Sequence, residues 1–102
     1  MNKKYTIRYL PTFKNQFSEI LHYIAFELKN KIAANNFYDE VIKQIEIRSN
    51  APESYEVFKE INKVKYYKIN IKRYTIFYSV KKDVMEISRI YYSQRNFEDL
   101  IK

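Results

Sequence analysis

The chain has 102 residues, 46% of them hydrophobic, with room for one modest core, so residues 1–102 read as a single domain. It has no cysteine, which excludes disulfides, thiolate metal sites and a thiol nucleophile. It has no glycine either, which excludes the glycine-rich phosphate loops of the Walker and dinucleotide types.

The formal net charge of +7 is unevenly spread: residues 57–102 hold 11 Lys and Arg against 5 Asp and Glu, a net of +6. The densest run, Lys59 to Arg73, has six basic side chains and one acidic. A basic half suits a polyanion or an acidic protein partner, and equally a solvated lysine-rich surface.

In chain order, YTIRYL (5–10) alternates Tyr5, Ile7 and Tyr9 on one face and reads as a strand. Pro11 and Thr12 punctuate it, with Thr12 as the expected N-cap of a helix over 12–29. Phe13, Phe17, Ile20, Leu21, Ile24 and Leu28 give that helix an apolar stripe. A second helix, 32–48, carries Ala33, Phe37, Val41 and Ile45, and the short link at Asn30-Lys31 makes the pair an antiparallel hairpin. Pro52 ends this part, and residues 52–63 read as loop or a short helical turn.

Three extended segments follow. In 63–71, Tyr67, Ile69 and Ile71 share a face; in 73–80, Tyr74, Ile76, Tyr78 and Val80 do. In 84–92 both faces are equally apolar, so periodicity leaves its buried side open. Gln94 to Lys102 has the pattern of a short C-terminal helix through Phe97, Leu100 and Ile101. The expected architecture is α+β, β-α-α-β-β-β, with the N-terminal helical hairpin packed on one face of a small antiparallel sheet. The N-terminus has no apolar run of signal-peptide length, and nowhere do about 18 apolar residues run together, so a cytoplasmic protein without membrane contact is expected.

The chemistry-bearing side chains are mainly Lys, Arg and Tyr. His22, the only histidine, falls inside the first helix, so a metal site or a Ser–His pair has no support, and no metal or cofactor is expected. Arg forks onto phosphate oxygens, Lys supplies point charge, and tyrosine rings stack on unpaired bases. RNA can be cut without metal when its 2′-OH is the nucleophile, given a base, an acid and a cation beside the phosphorane. The same tyrosines also suit ordinary β-sheet packing, and composition leaves both readings open.

The element order, the segment YYKINIKRYTIFYSV and the ending ISRIYYSQRNFEDLI together resemble the RelE/ParE superfamily of bacterial type II toxins, also known from plasmid stabilisation systems. Ile87-Ser88-Arg89-Ile90-Tyr91-Tyr92, then Ser93 and Arg95-Asn96, is similar to the family's last strand and its exit. The resemblance implies a toxin neutralised by a cognate antitoxin. It implies one of two targets: ribosome-bound mRNA, cut without metal, or DNA gyrase, inhibited without nuclease activity. On the mRNA branch, Lys68, Arg73 and Tyr92 are the implied catalytic residues, and Lys65, Arg89 and Arg95 the implied nucleic-acid contacts. Two positions depart from that branch. A second lysine is replaced by Asn70, and an arginine on the next strand by Thr75. Translation inhibition by mRNA cleavage is the leading expectation, with gyrase inhibition or an inactive toxin fold as alternatives.

Overall fold

The computed structural model describes residues 5–93. The first strand, β1 (Thr6–Tyr9), leads straight into helix α1 (Pro11–His22). Pro11 opens that helix because its fixed φ suits the first helical position and its missing N–H is an orphan there anyway. The expected cap at Thr12 does not form: Leu10 occupies the N-cap position, and no side chain caps the helix.

After His22 the helix widens into a π-turn, Tyr23–Glu27, and stops where Lys29 takes a positive φ of 52°. Asn30 then caps α2 (Lys31–Arg48), its side-chain oxygen accepting from the Ala33 N–H at 3.0 Å. Among the described residues, no helix is long and apolar enough to cross a membrane.

A short 3₁₀ turn at Pro52–Ser54 precedes the sheet strands β2 (Lys59–Ile61), β3 (Val64–Ile71), β4 (Tyr74–Lys81) and β5 (Val84–Tyr92). The expected meander is β3-β4-β5. Strand β2 lies in the stretch expected to be loop. Asn62 and Lys63, both at positive φ, turn its three residues back onto β3. The five-stranded sheet has the order β1-β5-β4-β3-β2, and β1 runs parallel to β5. The sheet is therefore mixed rather than purely antiparallel.

Strand β5 explains its own ambiguous periodicity. Phe77 of β4 faces Arg89, but Tyr78 faces Ile87, so Ser88 is an extra residue, a β-bulge. Its hydroxyl donates to the Phe77 carbonyl at 3.1 Å. The bulge reverses the alternation midway. Met85 and Ile87 point at the helices before it, and Ile90 and Tyr92 after it.

The core lies between that sheet face and the hairpin. Phe13, Phe17, Phe37, Val41 and Ile45 of the helices meet Tyr67, Ile69, Ile71, Ile76, Tyr78, Met85, Ile87 and Ile90. Burying each such side chain contributes roughly 1.5–3 kcal/mol. A run of rings, Tyr9, Phe13, Phe17, Phe37, Tyr74 and Tyr92, crosses the core with successive centroids 5.0–6.0 Å apart.

Candidate functional site

The strand register divides the sequence-derived residues between two faces. Lys68 and Arg89 lie on the face away from the helices, in one cross-strand row with Phe77 between them. Phe77 is wholly buried there, with the rings of Phe58 and Tyr91 at 5.4 and 6.2 Å. The Lys68 ammonium sits 4.8 Å from the Phe58 ring centroid. This side of the sheet, away from the hairpin, is in part an aromatic patch flanked by cations.

Tyr92 is on the opposite face. It ends β5 beside Tyr74, edge to face at 5.7 Å, and its hydroxyl accepts from the Arg73 guanidinium at 3.4 Å. That hydrogen bond is the main reason the Arg73 guanidinium is held above its ordinary pKa. The structure thus brings Arg73 and Tyr92 together and separates both from Lys68 by the thickness of the sheet. Lys65 is out of phase with Lys68 and pairs across the ladder with Glu60. Arg95 and the expected C-terminal helix lie outside the described residues.

The two departures from the mRNA-cleaving pattern prove to be partners. Asn70 and Thr75 are directly cross-strand neighbours. The buried Thr75 hydroxyl donates to Asn70 Oδ1 at 2.8 Å and lies 3.0 Å from Ser93 Oγ. Where that pattern calls for two cations, the chain has a neutral pair joined by one hydrogen bond.

The tyrosines that show shifts move away from acid–base work at neutral pH. Tyr9, Tyr67, Tyr74 and Tyr78 are all raised above the ordinary value of 10.0, each chiefly by burial. For Tyr74 the neighbouring Tyr92 and Tyr23 phenols add to the effect. His22 is exposed on α1, its ring 4.5 Å from that of Phe26.

A cluster with no local sequence signature surrounds Tyr78. Its hydroxyl donates to the Pro52 carbonyl at 2.8 Å and accepts from Arg48 at 3.1 Å. Arg48, in the last turn of α2, lays its guanidinium 3.6 Å from the Tyr55 ring centroid. Arg48 and Lys68 both line a cavity of about 510 Å³ at the β3 edge, with Tyr55, Glu56, Val57, Phe58 and Asn70. The partners are separated by 30 residues in sequence for Arg48 and Tyr78, so no local motif could have signalled the cluster.

The helical hairpin offers a second surface. Tyr9, Phe13, Phe17, Leu21, Tyr38 and Ile42 line a mainly apolar groove of about 350 Å³. At the hairpin tip, Tyr23, Phe26, Leu28 and Ile32 are 51–74% exposed. Exposed apolar side chains gathered this way mark an interaction surface rather than scattered surface residues.

Comparison with known proteins agrees with this architecture. A chain of the structure described as the chromosomal ParDE TA system from P. aeruginosa superposes with a TM-score of 0.69 at 13% identity, covering 87% of this chain and 96% of that one. Comparison with curated proteins gives no match. The family model for the ParE toxin of the type II toxin-antitoxin system, parDE, matches residues 7–97. With that match over nearly its whole length, the chain belongs to the ParE toxin family of type II toxin-antitoxin systems.

Proposed function

We propose that this toxin arrests growth by engaging DNA gyrase, without cutting mRNA, and that its antitoxin seats on the helical hairpin. The observation that carries the target is the Asn70–Thr75 pair. The hydrogen bond of 2.8 Å occupies the cross-strand position where the nuclease pattern needs two cations. The separation of Lys68 from Arg73 and Tyr92 supports the same reading, because a general acid and a phosphate-holding lysine must reach one phosphodiester together. The raised phenols at Tyr74 and Tyr78 are poor proton carriers near neutral pH.

Membership of the family implies an antitoxin partner. The apolar groove lined by Phe13, Phe17, Leu21 and Tyr38 suits an amphipathic helix laid along the hairpin.

The decisive experiment runs purified toxin in two assays. Supercoiling by purified gyrase should be inhibited, while mRNA on programmed ribosomes stays intact at the same toxin concentration. Cleaved message with unaffected supercoiling would overturn the proposal in favour of the nuclease branch. Absence of any growth defect on induction without the antitoxin would mark the chain as an inactive toxin fold.

A further inference from the structure

The cavity at the β3 edge has the makings of a ligand site on several counts. Two cations face it, and each is braced by an aromatic ring rather than by a carboxylate. Arg48 is stacked on Tyr55 at 3.6 Å, and Lys68 on Phe58 at 4.8 Å. Among the described residues neither makes an ion pair. Arg48 is half-buried and held from behind by the Tyr78 hydroxyl, so its position is fixed before any ligand arrives. A guanidinium whose orientation is already set loses little entropy on binding an oxyanion.

The sheet edge adds neutral donors. The two-residue connection at Lys72-Arg73 makes Ile71 and Tyr74 the closing hydrogen-bonded pair of the β3–β4 hairpin. Alternation then sends the backbone groups of Tyr67 and Ile69 toward β4, and those of Lys68 and Asn70 toward the opposite edge. Strand β2 does not cover that edge: its register ends at Lys59 opposite Tyr66, and the last bond there is Phe58 N–H to the Tyr66 carbonyl at 2.8 Å. The main-chain N–H groups of Lys68 and Asn70 are thus directed to the edge where the cavity lies.

We infer that this cavity is an anion site for a phosphodiester group of nucleic acid, clamped between Arg48 and Lys68. The two cations can take different oxygens of one phosphate, which a lone surface lysine cannot do. The faces of Tyr55 and Phe58 are already covered by the cations, so the site reads charge and not a stacked base. It therefore binds without sequence preference. The segment from Lys59 to Arg73 that supplies Lys68 carries six basic side chains and one acidic, a charge density that favours a ligand with repeating charge over a single carboxylate. Glu56 lines the same cavity and opposes the anion, which gives the inference a signed test.

The test uses the intact toxin and a single-stranded oligothymidylate of about ten nucleotides, a length within the range such grooves cover. Inorganic phosphate is titrated in parallel. Lys68→Gln should weaken oligonucleotide binding about tenfold, the loss expected for one charge-assisted hydrogen bond. Glu56→Gln should tighten it, an effect that no loss of folding can mimic. Lys82→Gln, on the distant β4–β5 turn, controls for diffuse attraction.

Equal weakening by Lys82→Gln, or no response to Glu56→Gln, would sink the inference. So would saturation by inorganic phosphate alone with no oligonucleotide binding, which would make the ligand a free anion. An acidic peptide binding in place of the oligonucleotide would likewise assign the cavity to a protein partner. Because the readout is binding and not supercoiling, its failure leaves the gyrase proposal standing, and the reverse also holds.

Discussion

Tyr78 shows how one side chain links the core to the surface. Its ring stacks on Tyr67 at 5.1 Å, while its hydroxyl joins the Pro52 carbonyl to Arg48. Tyr78→Phe removes both bonds and leaves a buried carbonyl unpaired. It should cost about 1–3 kcal/mol in chemical denaturation. The raised phenols give a second prediction at this scale. Tyr9, Tyr67, Tyr74 and Tyr78 ionise more easily unfolded than folded. Their contribution to stability is complete below the unfolded value of about 10 and is lost as pH rises through the higher folded values. Melting temperature should therefore fall steeply above about pH 10, in step with tyrosinate absorbance; a flat alkaline profile would contradict the burial of these rings. Asn70 and Thr75 were legible as departures from a pattern, but that they bond each other was not. The pairing depends on a register that only the folded hairpin fixes.

Among the elements, those with long periodic stripes were readable in advance. Phe13, Phe17, Phe37, Val41 and Ile45 are buried where helical spacing put them. So are Tyr67, Ile69 and Ile71, because β3 alternates without interruption. The failures have local causes. With three residues, β2 is too short to carry a period. The split of the α1 helix into a π-turn leaves its apolar stripe looking continuous. β5 defeated the face assignment because Ser88 shifts its phase midway. Removing Ser88 outright would restore strict alternation: Ile87, Ile90 and Tyr92 would still face the helices, and Arg89 would still lie opposite Phe77 and Ile87 opposite Tyr78. That deletion should therefore be tolerated, costing little more than the one hydrogen bond lost in Ser88→Ala, about 0.5–1.5 kcal/mol. Loss of cooperative unfolding on deletion, with Ser88→Ala still folded, would show that Ser88 is not the extra residue.

For the molecule as a whole, the proposed antitoxin groove and the proposed anion site lie on different surfaces. The hairpin groove is apolar and the sheet edge is cationic, so substitutions should divide cleanly between them. Tyr38, stacked on Phe17 at 5.7 Å and 47% exposed, lines the groove. Tyr38→Ala should weaken antitoxin binding by about 2 kcal/mol or more, as for an aromatic anchor. Gyrase inhibition by the free toxin should remain. Titration calorimetry against the antitoxin, with supercoiling as the parallel readout, would refute this if both fell together.

The parallel pairing of β1 with β5 has a consequence for when the protein becomes toxic. Arg8 and Glu86 meet across this pair at 3.5 Å, 78 residues apart in the chain. The Leu10 N–H likewise closes onto the Ile87 carbonyl at 3.0 Å. Strand β1 is therefore completed only by β5, far along the chain. Contacts of such long span are slow to form. A chain cut before Val84 lacks the strand that both β1 and β4 pair with, so it cannot finish the sheet and should be harmless on induction. Toxicity waits on that slow closure, which gives an antitoxin an interval in which to engage the chain first.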